Sequence, residues 1–208
     1  MTNSRLYLHR SQPAKGKEEE GTGAGRGDAE LFRQFLLGDD AAFSSFYGRH
    51  TGRLYLYCRK MLNDAASAKD LEQEVWSRVI DMRKNPPSHL GNPVGLVIRI
   101  ARNLCLDELK SSRVSRRESL ESVDLSLYTT PPVHPERTSL EDLALLCLNR
   151  LDVTYREPLI LHLYCGYSYE EVAGMLNTSP EAIWKRASRA RRKLRTMMEK
   201  EMKDAEYE

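Results

Sequence analysis

Long apolar runs are missing from this 208-residue sequence, and no stretch approaches the length that crosses a bilayer. Its first residues, Met1 to Arg10, also lack the apolar centre of a secretory signal. A cytoplasmic location with no membrane insertion is therefore expected. Cysteine is sparse and scattered: Cys58, Cys105, Cys147 and Cys165 offer no C-x-x-C pair, hence no disulfide framework and no zinc ribbon. His162 and Cys165 are three residues apart, but no second pair stands near them, so no metal is expected. Glycine-rich phosphate loops and nucleophile motifs are absent too, which argues against an enzyme and against a cofactor. Charge is not in excess: 32 Lys and Arg against 30 Asp and Glu leave a net +2, so attraction to a polyanion must be local. Strand-like alternation is nowhere convincing, and the expected class is all-α.

The positive charge collects near the end, in GYSYEEVAGMLNTSPEAIWKRASRARRKLR from Gly166 to Arg195. Ser168 followed by Glu171 predicts a capping box, and Val172, Ala173 and Leu176 predict a short helix packed on one side. Asn177 tolerates the left-handed backbone that ends a helix, and Ser179-Pro180 starts another. In that second helix Ile183, Ala187, Ala190 and Leu194 share a face. The rest of its surface carries Lys185, Arg186, Arg189, Arg191, Arg192, Lys193 and Arg195, with no acid between Ala182 and Arg195. Two helices, a short turn and a basic second helix predict a helix-turn-helix able to enter a major groove. A solvated basic helix on an ordinary bundle is the plainer alternative.

Upstream, residues 1–27 are polar and glycine-rich, too poor in apolar surface to offset ordering entropy, and are expected to be a disordered tail. Residues 28–113 read as continuously helical. Leu31, Phe32, Phe35 and Leu36 make a first apolar face ended by Gly38, and Asp39 or Asp40 caps a helix carrying Phe43, Phe46 and Tyr47. An aromatic run from Leu54 to Leu62 follows. A helix opening at Ser67 buries Leu71, Val75, Trp76 and Val79 and leaves Asp70, Gln73 and Glu74 outward. Breakers fill 85–93, then a helix from Val94 to about Ser111 turns Leu96, Ile100 and Leu104 inward and Arg99, Arg102 and Asn103 outward. Pro131, Pro132 and Pro135 mark 114–138 as an extended linker. Helices resume over 139–200, and 201–208 is a tail. The expected architecture is two small helical domains joined by a flexible linker.

Four blocks in this order resemble the bacterial RNA polymerase sigma factors of the extracytoplasmic-function (ECF) group, which keep only sigma regions 2 and 4. They are GDDAAFSSFYGRH from Gly38, AKDLEQEVWSRV from Ala68, IRIARNLCLDELK from Ile98, and the helix-turn-helix with LNRLDVTYREPLILHLYCGYSYEEVA from Leu148 before it. The resemblance implies a subunit without catalytic residues that binds core RNA polymerase and directs promoter-specific initiation. It implies that Asp70, Gln73 and Glu74 dock on the clamp helices of the largest polymerase subunit. Arg99, Arg102, Asn103 and Lys110, with the 85–93 loop and Arg113, Arg116 and Arg117, would hold the melted minus-10 strand. Ser179, Glu181, Ala182, Trp184, Lys185 and Ser188 would meet the minus-35 duplex, with Arg186, Arg189 and Arg192 on phosphates. An anti-sigma factor is the further partner it implies.

The chain departs from the family pattern at several points. Gly95 stands where the family usually has Trp, Asn177 where it has a turn glycine, Ala182 and Trp184 where Thr and Lys are common, and Ala187 where it has a core Leu. Trp184 lies off the apolar face, leaving contact with DNA, contact with an inhibitor, or simple packing open. A helix-turn-helix regulator acting without polymerase is the alternative function; it leaves Asp70, Gln73 and Glu74 and the IARN block without a role.

Overall fold

A computed structural model describes residues 27–87, 91–121 and 140–206, with the side chains of 112–121, 141 and 205–206 outside that description. Most of the expected N-terminal tail (1–26) and of the linker (122–138) therefore lies outside the described residues, as do residue 139, 88–90 of the breaker-rich loop and 207–208. The described residues form eight α-helices: α1 Asp28–Leu36, α2 Asp40–Leu62, α3 Ala65–Asp81, α4 Pro93–Glu121, α5 Leu140–Arg150, α6 Val153–Leu159, α7 Tyr169–Met175 and α8 Pro180–Glu206. No strand occurs among the described residues.

The N-terminal bundle is α1 to α4. Asp39, rather than Asp40, caps α2, accepting from the amides of Ala41 and Ala42 at 2.9 and 3.0 Å. The two runs read separately around Phe43 and Leu54 form one helix of 23 residues. Helix α3 opens earlier than Ser67: Asp64 is the cap and accepts from the Ser67 amide at 2.7 Å. Asp and Ser both cap well, and the chain takes the acid one turn upstream. Where the helices meet, Phe32 and Phe46 pack edge to face at 5.2 Å, and Trp76 closes the cluster against Phe46 at 6.2 Å.

One polar group enters this apolar interior. Glu72 is 1% exposed and accepts from Trp76 Nε1 at 2.9 Å, Thr51 Oγ1 at 2.6 Å and Lys69 Nζ at 2.7 Å. The bond from Thr51 ties α2 to α3, while those from Trp76 and Lys69 lie within α3 and hold the carboxylate in place. Helix α4 begins with Asn92 as its cap and Pro93 at the first helical position. Its buried core side chains, among those described, are Val97, Ile98, Ala101 and Cys105; Leu96, Ile100 and Leu104, expected inward, are only partly covered. The reason is that α4 packs on α2 and α3 along one stripe and on α7 along another. It also continues past Ser111 to Glu121, into the stretch read as linker.

In the C-terminal bundle, α8 packs on α5, α6 and α7. Pro158 withholds an N–H near the end of α6, and directly afterwards the helix widens into a π-helical turn, Ile160–Tyr164. The capping box at α7 is present: Ser168 Oγ accepts from the Glu171 amide at 3.2 Å, and the Glu171 carboxylate from the Ser168 amide at 2.7 Å. Asn177 stands at φ 50°, in the left-handed region, between α7 and α8. Ile183, Ala187 and Ala190 are fully buried on α8, which runs on to Glu206.

Two stability outcomes follow from these features. Glu72→Ala strands the buried Trp76 N–H and should cost about 1–3 kcal/mol in a urea melt. Asn177→Ala should cost about 1 kcal/mol by the same measurement, whereas Asn177→Gly, free of the Cβ penalty, should be near neutral.

Candidate protein- and nucleic-acid-binding surfaces

Helix α3 separates its two faces sharply. Ala68, Glu72, Val75, Trp76 and Val79 are buried, while Asp70, Gln73 and Glu74 are exposed on the opposite side. Glu74 pairs along its own helix with Arg78 at 2.7 Å, an exposed contact of little weight. The three residues singled out from sequence thus share one open surface. Ile80, 47% exposed, continues that face. Sequence reasoning misses it; an apolar residue at an outward position of the helix is the available signal.

Helix α4 divides its polar residues in two. Arg99, Asn103 and Lys110 are exposed, with Arg99 Nε donating to its own Gly95 carbonyl at 3.2 Å and Lys110 facing Asp107 at 3.4 Å. Arg102, expected beside them, turns instead toward the C-terminal bundle, where its Nε donates to Glu157 Oε2 at 3.0 Å. A step of one residue rotates a side chain by roughly 100° round a helix, and that places Arg102 against α6. Burial works against its charge, but the Glu157 carboxylate outweighs this and holds the guanidinium above its usual range. The other Glu157 oxygen accepts from the Tyr57 hydroxyl at 2.7 Å. Burial first, and then that carboxylate, push the Tyr57 phenol well above its ordinary range. The side chains of Arg113, Arg116 and Arg117 lie outside the described residues.

On α8, Trp184, Lys185, Ser188, Arg189 and Arg192 line one open groove of about 560 Å³. Five of the residues read as minus-35 contacts are thereby brought together. Ser179 is occupied as the start of the helix, its Oγ accepting from the Ala182 amide at 3.2 Å. Glu181 is exposed, whereas Ala182 and Arg186 are partly covered.

Trp184 is 51% exposed, yet it is not loose. Its ring lies on Tyr169 at 4.6 Å, and His162 stacks on Tyr169 at 4.0 Å. The three rings are in continuous contact, His162 stacked on Tyr169 and Trp184 tilted against it, with about half of the indole left to solvent. His162 is engaged elsewhere too, its Nδ1 within 2.7 Å of the Tyr167 carbonyl, and the Cys165 thiol lies against the Arg53 carbonyl. Among the described residues no group of three His, Cys, Asp or Glu could hold a metal, and no helix is long and apolar enough to cross a membrane.

Comparison with known proteins matches this arrangement. Residues 46–114 fit the family described as Sigma-70 region 2, and residues 141–194 that described as Sigma-70, region 4. A probable ECF RNA polymerase sigma factor SigI of Mycobacterium tuberculosis (strain CDC 1551 / Oshkosh) is 30% identical over 161 residues, 73% of this chain and 53% of that protein. The chain thus spans about half the length of that relative. The ECF RNA polymerase sigma factor SigK of Mycobacterium ulcerans is 28% identical over 176 residues, covering 81% of this chain and 92% of that one. Among solved structures, CnrH in complex with the cytosolic domain of CnrY has a TM-score of 0.61 at 22% identity, over 83% of this chain and 97% of that chain. RpoE with the anti-sigma factor NepR from Bartonella quintana has a TM-score of 0.55 at 22% identity, over 76% and 96%. With regions 2 and 4 in order and these relatives beside it, the chain belongs to the sigma-70 family of RNA polymerase sigma factors, in its ECF group.

Proposed function

We propose that this protein is a dissociable initiation subunit that binds core RNA polymerase, directs it to promoters and helps to separate the minus-10 strands. The observation that carries the proposal is the split of α3. One face is locked into the core by Glu72, Val75 and Trp76, and the other leaves Asp70, Gln73 and Glu74 in water. An acidic, rigid helical face of this kind fits the clamp helices of the largest polymerase subunit. Electrostatic complementarity at such a contact steers encounter and fixes register more than it adds affinity.

The division of labour with DNA follows the chemistry of the two basic surfaces. Arg99, Asn103 and Lys110 on α4 offer donors and positive charge to an unstacked strand, joined by Arg102 once Glu157 releases it. On α8, Glu181, Ala182, Trp184, Lys185 and Ser188 stand near the start of the reading helix, where side chains reach base edges, with Ser179 at its cap. Arg186, Arg189 and Arg192 hold phosphates, which sets affinity and register without reading sequence. The protein contributes no active site of its own; nucleotidyl transfer belongs to the polymerase. An anti-sigma factor is proposed as its regulatory partner, supported by the likeness in fold to RpoE in its complex with NepR. Co-purification from native cells should recover such a partner, and recovery with polymerase alone would count against it.

Charge reversal at Asp70 and Glu74 should abolish co-purification with core polymerase and promoter-specific run-off transcription while leaving duplex binding by α8 intact. If polymerase binding survives, the helix-turn-helix regulator is the better reading. Substituting Trp184 and Lys185 should change which promoter is used, each base pair they read being worth about 1–3 kcal/mol of discrimination. Arg189→Ala should weaken binding to all duplexes alike and reduce the salt slope by about one. Unchanged promoter choice in the Trp184 variant would remove that residue from the reading set.

A further inference from the structure

The two bundles do not stand apart. Across their boundary the Glu157 carboxylate, 2% exposed, joins Tyr57 of α2 and Arg102 of α4. Beside it the Arg53 guanidinium lies over Tyr167 at 5.1 Å, Lys60 Nζ lies over Tyr164 at 4.5 Å, and the Cys165 thiol approaches the Arg53 carbonyl at 3.6 Å. Farther along, α4 meets α7 at Gly95. A Cβ there would stand 3.3 Å from the Met175 Cα and 3.1 Å from the Asn92 side chain that caps α4. The place where the family usually carries Trp is thus a place where the backbones of the two domains approach closely.

This packing conflicts with simultaneous promoter reading. Elements centred at minus 10 and minus 35 lie about 25 base pairs apart, or roughly 85 Å at about 3.4 Å per pair. A compact body of this chain length has a radius of gyration of about 17 Å. Domains joined by a 2.7 Å hydrogen bond at Glu157 cannot hold both elements at once. The closed arrangement also takes Arg102 out of the minus-10 face, while Asp70, Gln73 and Glu74 remain open. Polymerase can therefore be met in the closed form, but the promoter cannot be read at both sites.

We propose that the free protein is self-latched, its region 4 domain closed on the Arg102 side of its region 2 domain. Glu157 is the latch, and Gly95 is the seat that lets α7 approach. The latch depends on the sigma-factor reading above for its meaning, because only a two-site promoter requires the domains to separate. Opening exchanges the buried Glu157 bonds for water and frees Arg102 for the melted strand. Glu157, Gly95 and Met175 are thus the positions whose contacts hold the closed form.

Small-angle X-ray scattering of the full chain, with circular dichroism as the check on folding, tests the latch. Wild type should scatter as a compact body. Glu157→Lys should raise the radius of gyration by a fifth or more, and the charge swap Arg102→Glu with Glu157→Arg should return it toward the wild-type value. A wild type already extended, or a folded Glu157→Lys variant as compact as wild type, would overturn the proposal. Should Glu157→Lys lose its helical signal, Gly95→Trp serves as the test in its place: expansion supports the seat and compactness overturns it. Run-off transcription with core polymerase separates this outcome from the function. Absence of promoter-specific transcript with wild type would sink the sigma reading whatever the scattering shows. Normal transcription with an extended wild type would sink only the latch.

Discussion

Glu72 is a carboxylate with almost no access to water, and much of the region 2 surface follows from how it is satisfied. A buried acid must find donors, and Trp76, Thr51 and Lys69 supply them. Trp76 and Lys69 lie on α3 itself, so the bond from Thr51 of α2 is the one that ties the rotation of α3 to its neighbour. That rotation turns the neighbours on either side, Asp70 and Gln73 with Glu74, to the outside. Buried ionic groups are weak evidence for stability but a recognised means of fixing orientation. Here the product is the orientation, which holds Asp70, Gln73 and Glu74 outward. Glu157 repeats the device on a larger scale: its oxygens accept from the Tyr57 hydroxyl and the Arg102 guanidinium, and both of these belong to the other domain.

Much of this molecule is legible in its sequence, and the parts that are not share a cause. Local grammar is readable: the Ser168–Glu171 box, the left-handed Asn177 and the buried stripe Ile183, Ala187 and Ala190 all stand where their residue types predict. So is the exposure of Asp70, Gln73 and Glu74, because an apolar stripe fixes its opposite face. Glu72 is not, since a carboxylate in an acidic run gives no sign of being buried until its donors are placed. Arg102 escapes sequence reasoning for the same reason, its partner Glu157 lying on a helix of the other domain. Helix ends are ambiguous wherever two capping residues compete, as Asp64 and Ser67 do before α3.

Gly95 illustrates how a departure from a family pattern changes meaning once its neighbours are known. Taken alone, it is a lost core aromatic and a weak point in a helix. Against Met175 it becomes an opening through which a second helix approaches. The same backbone that gives up packing within one domain gains it between two. Trp184 shows the converse. Read as an unplaced aromatic on a basic helix, it is held by Tyr169 and so is aimed rather than free.

The chain holds two tryptophans, and the fold assigns one to each domain in opposite surroundings. Trp76 is 4% exposed among phenylalanines with its indole N–H bonded to Glu72, whereas Trp184 is 51% exposed beside Lys185 and Arg189. The protein therefore carries its own pair of optical reporters. Blue-shifted emission, inaccessible to a soluble quencher, follows the integrity of the region 2 bundle. Red-shifted, quenchable emission follows whatever covers the exposed face of α8. No label is needed to watch the two halves of the molecule independently.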